Sequence, residues 1–370
     1  MFTVDLHRHF EAGLRPETIA MLATRHGITA VRTRAGETVA GVDPQDPASI
    51  RRYYRDIAAG FGRPDGFVRF TDSFGLPLSV LRTLEDLEEA VFDQLVDGAA
   101  SGSLHTELRG SPFSYQEYVG APVEEIAQAL VAGADRAWRE RGVSGTFILA
   151  FSRQKGVAPP GAPAVQRQAA IVAGVAARLH RADRPVGLDI AGFPELAFPP
   201  AAFAAALAPA REAGVPLTVH AGEQGRPPGF ADAPPGLIVE AIEQLGARRI
   251  GHGTSLQESP EARALVRERG VGIECCPVSN ACMGFVPVAA HPLPMFLAEG
   301  LAASIGTDDP LMFGPFTLAD TRDMIGPALG LDAAAWRTLA RNGAATAFVA
   351  DDRRRALLAA LDAMDPAAGS

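Results

Sequence analysis

The chain is poor in several things that would otherwise steer its reading. Its three cysteines, Cys275, Cys276 and Cys282, fall within eight residues. That is no disulfide framework, and it suits a reducing compartment, so a cytoplasmic location is expected. Lys155 is the only lysine among 34 basic residues, and a formal charge of -9 leaves no basic face. Duplex binding needs clustered cations to neutralise phosphates, so nucleic acid is not an expected partner. Apolar runs of about 18 residues are absent, which argues against a membrane span. The Ala-rich stretch 196–209 is broken by Pro199, Pro200 and Pro209. The first residues carry no basic leader with an apolar run, so no signal peptide is expected. No internal repeat is visible.

What is present reads as an ordinary globular chain of 370 residues, 47% hydrophobic and 21% charged. Short β-rich apolar runs alternate with longer segments of helical periodicity. Strands are expected at Thr3–His9, Leu104–Leu108, Thr146–Phe151, Val186–Ile190, Leu217–His220, Arg249–His252, Gly272–Cys275 and Ala302–Gly306. Helices are expected at Glu85–Ala99, Val123–Arg139, Ala164–Leu179, Pro260–Glu268 and Pro292–Glu299. Eight strands alternating with helices imply parallel pairing with right-handed crossovers. The fold class is therefore α/β, a closed (β/α)₈ barrel of the TIM type, for which about 250 residues is usual. The surplus is assigned to a helical insertion at 10–102 and to C-terminal helices at 333–363 of one catalytic domain spanning 1–370. Residues 33–49 read as a surface loop, and Asp365–Ser370 as a frayed end. An open doubly wound sheet would want a Gly-rich phosphate turn after its first strand. That strand ends instead in Leu-His-Arg-His-Phe-Glu.

A barrel does its chemistry where the strands end. His7 and His9 close the first predicted strand, His220 and Glu223 the fifth, His252 the sixth, and Asp308 and Asp309 follow the eighth. His-x-His on a strand presents both imidazoles on one side, because side chains repeat every two residues. With His220 and Asp308 they make a three-imidazole, one-carboxylate set suited to Zn²⁺, one ion per chain. Zinc brings a water's pKa from 15.7 to about 7. The remaining histidines, His26, His105, His180 and His291, read as solvated or core residues. The cytidine-type zinc deaminases need H-x-E followed by P-C-x-x-C. His105-Thr106-Glu107 matches the first half, but Glu274-Cys275-Cys276-Pro277 does not match the second. With Lys155 placed outside any strand, a bridging carboxylated lysine and a second metal are not expected.

Five motifs together resemble the adenosine deaminase family: Leu6-His7-Arg8-His9, Val219-His220-Ala221-Gly222-Glu223, Ile250-Gly251-His252-Gly253-Thr254, Cys276-Pro277-Val278-Ser279-Asn280 and Thr307-Asp308-Asp309-Pro310. They occur in the family's order and span most of the chain. The resemblance implies that His7, His9, His220 and Asp308 bind zinc. It implies that Glu223 gives a proton to purine N1 while hydroxide attacks C6, and that His252 stabilises the charge developing there. Asp309 would meet purine N7, and Gly192 in Asp189-Ile190-Ala191-Gly192 would offer a backbone contact. Read without the family, Glu223 is also a plausible surface acid, and Asp309 a residue that orients a ligand.

The expected activity is hydrolytic deamination of a 6-aminopurine nucleoside, adenosine or 2′-deoxyadenosine, with ammonia released. A small-molecule purine is the expected partner. Alternatives are a 5′-modified adenosine such as aminodeoxyfutalosine of menaquinone biosynthesis, or free adenine. A silent binding protein, or a barrel amidase or lactonase, are the readings from other classes. The departures bear on substrate. Phe10-Glu11-Ala12 stands where adenosine-specific members have Leu-Asp-Gly, so Glu11 replaces the residue that meets ribose, as in adenine-specific relatives. Gly192-Phe193-Pro194-Glu195 stands in place of Gly-Asp-Glu, and Gly306 in place of Asn. Phe67, Phe70 and Phe74 read either as core or as an apolar lid. Arg63 and Arg69 read by default as surface arginines, or else as contacts for an anionic substituent. Glu107 and Arg109 read as a pair inside the barrel.

Overall fold

The computed structural model describes residues 3–33, 36–61, 65–153, 162–193, 195–223 and 232–363. Eight strands form one sheet in chain order: β1 Thr3–His9, β2 Ser103–Gly110, β3 Gly145–Ser152, β4 Gly187–Ala191, β5 Leu217–Ala221, β6 Arg249–His252, β7 Gly272–Cys275 and β8 Ala302–Ile305. Neighbours pair in parallel from β1 to β8. The sheet closes just beyond β8, where the backbone of Asp308 meets β1. The Asp308 N–H donates to the His7 carbonyl at 2.8 Å, and the His9 N–H donates to the Asp308 carbonyl at 2.9 Å. Thr307 secures the same seam by donating from its hydroxyl to Asp5 at 2.7 Å. The chain is a (β/α)₈ barrel, as its periodicity implies.

The helices form where apolar residues recur at three and four and where caps end the pattern. Leu84–Ala100 begins at a capping box between Thr83 and Asp86. Val123–Arg141 stops at Gly142, whose φ of 66° few other residues tolerate. Those two helices pack against each other and against β2 and β3. Between β1 and β2 lie further helices at Pro16–Arg25, Pro47–Ala58, Gly66–Ser73 and Gly75–Val80. The expected loop at 33–49 is corrected here. Val31–Arg32 and Thr38–Val39 form a small antiparallel hairpin, and a helix already starts at Pro47, capped by the Asp46 carboxylate. Two-residue strands and a proline-initiated helix leave little periodicity to read. The C-terminal segment forms two helices, Ala333–Thr346 and Asp351–Asp362. No helix among the described residues is long and apolar enough to cross a membrane. Lys155, Arg63 and Pro194 and the expected fraying at 365–370 lie outside the described residues.

The barrel interior is polar where such barrels are usually filled by branched apolar residues. Arg109, Arg249, Glu107, Asp189 and Glu274 are each 0% exposed. Glu274 accepts from Arg249 Nε at 2.6 Å, Arg109 Nη2 at 2.7 Å and Thr218 at 2.9 Å. Arg109 Nη1 continues to Asp189 at 3.1 Å. Glu107 pairs with Arg249 and not, as its place beside Arg109 on β2 suggests, with Arg109. Residues two apart on a strand face the same way but extend side by side, so each finds its counter-charge across the barrel.

Candidate active site

The barrel delivers a cluster of imidazoles to its C-terminal mouth. His7 and His9 leave β1 on one side, and His220 arrives from β5. His9 Nε2 lies 3.3 Å from His220 Nε2. Asp308 Oδ1 lies 3.5 Å from His7 Nε2 and 3.4 Å from His9 Nε2. Four donors held about 2.05 Å from one tetrahedral ion stand roughly 3.3 Å apart, so these edges fit such an ion. His7 Nε2 is buried and has no hydrogen-bond partner, a costly arrangement unless something else takes up its lone pair. Three groupings have their ligand atoms within 4.8 Å of one another: His7, His9, His220; His7, His252, Asp308; and His9, Asp308, Asp309.

The tautomers of this cluster are fixed from below. His7 Nδ1 sits 2.8 Å from Glu274 Oε2, and His220 Nδ1 sits 3.1 Å from Asp189 Oδ1. Both carboxylates are held below their ordinary range despite burial. Arg109, Arg249 and His7 do this for Glu274, and His220 and Arg109 for Asp189. Charged acids at Nδ1 leave each imidazole presenting Nε2 to the mouth, the arrangement that orients metal-ligating histidines.

His252 and Asp308 carry positive φ of 63° and 59°, the two non-glycine residues to do so among those described. A left-handed backbone costs about 1–2 kcal/mol at such residues. Strain of this kind collects at functional sites, where surrounding packing holds it. The bent backbone turns His252 toward the cluster. Its Nε2 lies 4.0 Å from Asp308 Oδ2, and its Nδ1 lies 3.3 Å from Glu223 Oε1. Burial keeps His252 well below the usual imidazole range. Burial, with Asp308 and Glu195 nearby, pushes Glu223 well above the usual carboxylate range. Asp309 moves the same way, through burial and the charges of Asp308, Glu11 and Glu223. Its Oδ1 is buried with no hydrogen-bond partner. Asp308 is held down by His7 beside it and by the imidazoles of His252 and His9, against the effect of burial.

These groups line one cavity. His9, His220, Glu223, His252, Asp308 and Asp309 form its floor, and Glu11 and Gly192 are on its walls. Glu11 lies in a tight turn at Glu11–Gly13 and accepts from the Tyr115 hydroxyl at 2.7 Å. Gly192 has φ of 83°, and a Cβ there would meet Ser152 Oγ at 2.6 Å, so only glycine fits. Phe67, Phe70, Phe74, Phe193 and Phe285 roof the cavity. They also pack on one another, Phe70 stacking on Phe313 and Phe67 meeting Phe193 edge-on. The phenylalanine stripe is thus half-buried packing and pocket wall together. Arg69 is not among the lining residues.

Comparison with known proteins accords with this geometry. The family model described as adenosine deaminase matches residues 3–364. The chain belongs to the adenosine deaminase family. As a member it is a hydrolase acting on C–N bonds of cyclic amidines, and purine deamination is the family's reaction. The adenosine deaminase of Escherichia coli is 33% identical over 354 residues, covering 95% of each chain. The solved adenine deaminase of Arthrobacter aurescens is 27% identical, covers 97% of each chain and superposes with a TM-score of 0.77. An amidohydrolase from Burkholderia ambifaria, solved with bound zinc, is 24% identical. It covers 98% of this chain and 89% of its own, with a TM-score of 0.76, and shows the shared barrel.

In this deaminase family member His9, Glu11, Gly192, His220, Glu223, His252, Asp308 and Asp309 line the one cavity, with His7 beside it. Others were not singled out from sequence. Glu274 and Asp189 lie on strands, where a buried charge is itself a signal. Glu195 is buried behind Glu223 and accepts from the backbone N–H of Gly222 at 2.8 Å and of Glu223 at 3.3 Å. Arg153, 0% exposed, donates to the carbonyls of Phe198, Gly192 and His220 at 3.0–3.1 Å. No spacing in the sequence betrays a side chain that bonds only to backbone.

Proposed function

We propose that the chain catalyses zinc-dependent hydrolytic deamination of a 6-aminopurine nucleoside, adenosine or 2′-deoxyadenosine, to the 6-oxo product and ammonia. His7, His9, His220 and Asp308 would hold one zinc ion. When bound, such an ion supplies a water acidified to a pKa of about 7. Burial and its acidic neighbours push Glu223 well above the usual carboxylate range, toward its protonated form. It stands on the cavity floor to protonate ring N1 as water adds at C6. His252 faces the same point and stabilises negative charge arising on the attacking oxygen. Asp309, pushed the same way, would donate to N7, and Gly192 would offer its backbone to the ring. Ammonia leaves with the proton balance restored by the added water.

The observation that carries this reading is a buried Glu223, pushed well above the usual carboxylate range, in the same cavity as His9, His220 and Asp308, the ligand atoms of the last two standing 3.3 and 3.4 Å from His9 Nε2. A second reading, free adenine, draws support from Glu11. Its longer side chain, held by Tyr115, is an acceptor that a base N–H satisfies as well as a ribose hydroxyl does. Likeness to an adenine deaminase points the same way. The deciding experiment compares kcat/KM of zinc-replete enzyme on adenosine, 2′-deoxyadenosine, aminodeoxyfutalosine and adenine. A preference for either nucleoside is expected. Turnover of none of the four would remove the proposal.

A further inference from the structure

Asn280, on the short helix Pro277–Cys282, is fully buried between Glu223 and His252. Its Nδ2 lies 3.1 Å from Glu223 Oε1 and 3.2 Å from His252 Nδ1. An amide nitrogen offers two N–H donors and accepts nothing. Both facing atoms must therefore act as acceptors. Asn280 Oδ1 is buried without a partner, so turning the amide over would leave both N–H donors unsatisfied there in place of one acceptor. With Nδ1 accepting, a neutral His252 carries its hydrogen on Nε2, the nitrogen 4.0 Å from Asp308. With Oε1 accepting, a proton on Glu223 resides on Oε2.

We propose that Asn280 is a positioning residue that assigns both hydrogens, placing one on His252 Nε2 and one on Glu223 Oε2. The kinetic half of this inference rests on the deamination reading; the tautomer does not. In the reaction the Oε2–H bond breaks as N1–H forms, leaving a carboxylate whose charge spreads to Oε1. There the Asn280 N–H strengthens as charge arrives, because hydrogen bonds to charged groups are the stronger ones. The Nε2–H of His252 is meanwhile directed at the oxygen bonding to C6. One amide so prepares the proton donor and the charge stabiliser together.

The test uses ¹⁵N-labelled, metal-loaded full-length enzyme. Two-bond ¹H–¹⁵N spectra, with His252 assigned from a His252→Gln sample, report which ring nitrogen bears hydrogen. The native enzyme should show a bare Nδ1 and a protonated Nε2. Asn280→Asp keeps the shape and removes both donors. The expected result is a His252 hydrogen moved to Nδ1 and kcat lowered at least about tenfold, with KM little changed and metal content intact. Asn280→Ser, which keeps one short donor, should lose less. Hydrogen on Nδ1 of the native enzyme would overturn the assignment, as would kcat falling less than about tenfold in folded, metal-loaded Asn280→Asp. If that variant does not fold, the native spectrum alone decides. Failure of the native enzyme on every 6-aminopurine would defeat the deamination reading and leave the spectrum to judge Asn280.

Discussion

At the residue scale, the cavity floor separates acids by what surrounds them. Glu223 and Asp309 are driven toward their protonated forms, whereas Asp308, Asp189 and Glu274 are held as anions by imidazoles and arginines. Environments that push pKa values apart mark which group gives a proton and which binds charge. Glu223→Gln keeps the shape and removes the proton. Its kcat should fall by about 10²–10⁴ or more while metal analysis still finds about one ion per chain; near-native turnover would take Glu223 out of the chemistry. Glu274→Gln should act through His7 instead. Loss of the charge at Nδ1 weakens metal binding by about 10–100-fold, measurable by competition with a chelator dye. Unchanged affinity would show that the charge on Glu274 serves the barrel interior alone. The chemistry-bearing residues were legible because His-x-His, His-x-x-Glu and Asp-Asp sit at strand ends. Glu195, Arg153 and Tyr115 were not, since their partners are backbone groups or residues about a hundred positions away.

At the scale of elements, three strand-end segments are strapped together. Arg153 at the end of β3 holds the Gly192 carbonyl beyond β4 and the His220 carbonyl on β5. Glu195 then holds the N–H groups of Gly222 and Glu223. Burial pushes Glu195 from 4.5 up to about 7, against the pull of Arg153 and the two N–H groups. A carboxyl raised on folding stabilises the native state while protonated, fully so below its unfolded value. That contribution, about 3 kcal/mol for this displacement, is lost as pH rises through about 7. Glu195→Gln cannot ionise, so the drop in unfolding free energy between about pH 5 and 8 should be shallower than in the native enzyme. Identical pH slopes would mean that Glu195 does not titrate there. The strand and helix positions followed from periodicity with small shifts at their ends. The hairpin and the early helix at Pro47 escaped it, because two-residue strands show no period and tertiary packing selects them.

At the scale of the whole molecule, the proposed metal-ligand set draws on β1, β5 and the segment after β8, so an ion there would cross-brace a barrel otherwise closed by a few backbone bonds. An ion held at a thousand times its Kd adds about 4 kcal/mol, worth several degrees in Tm for a chain of this length. Chelation should lower Tm by that order and added zinc should restore it. A midpoint indifferent to metal would deny the brace. Closure at Asp308 also sets an order of assembly during synthesis. His7 and His9 emerge first, and their last companion follows some three hundred residues later, roughly 15 to 60 s at ordinary translation speed. For all that time the imidazoles of β1 wait without a mouth to line. Capture of an ion by all four proposed ligands would therefore be among the final acts of making the enzyme, and a ribosome that stalls before Asp308 would leave the set without its carboxylate.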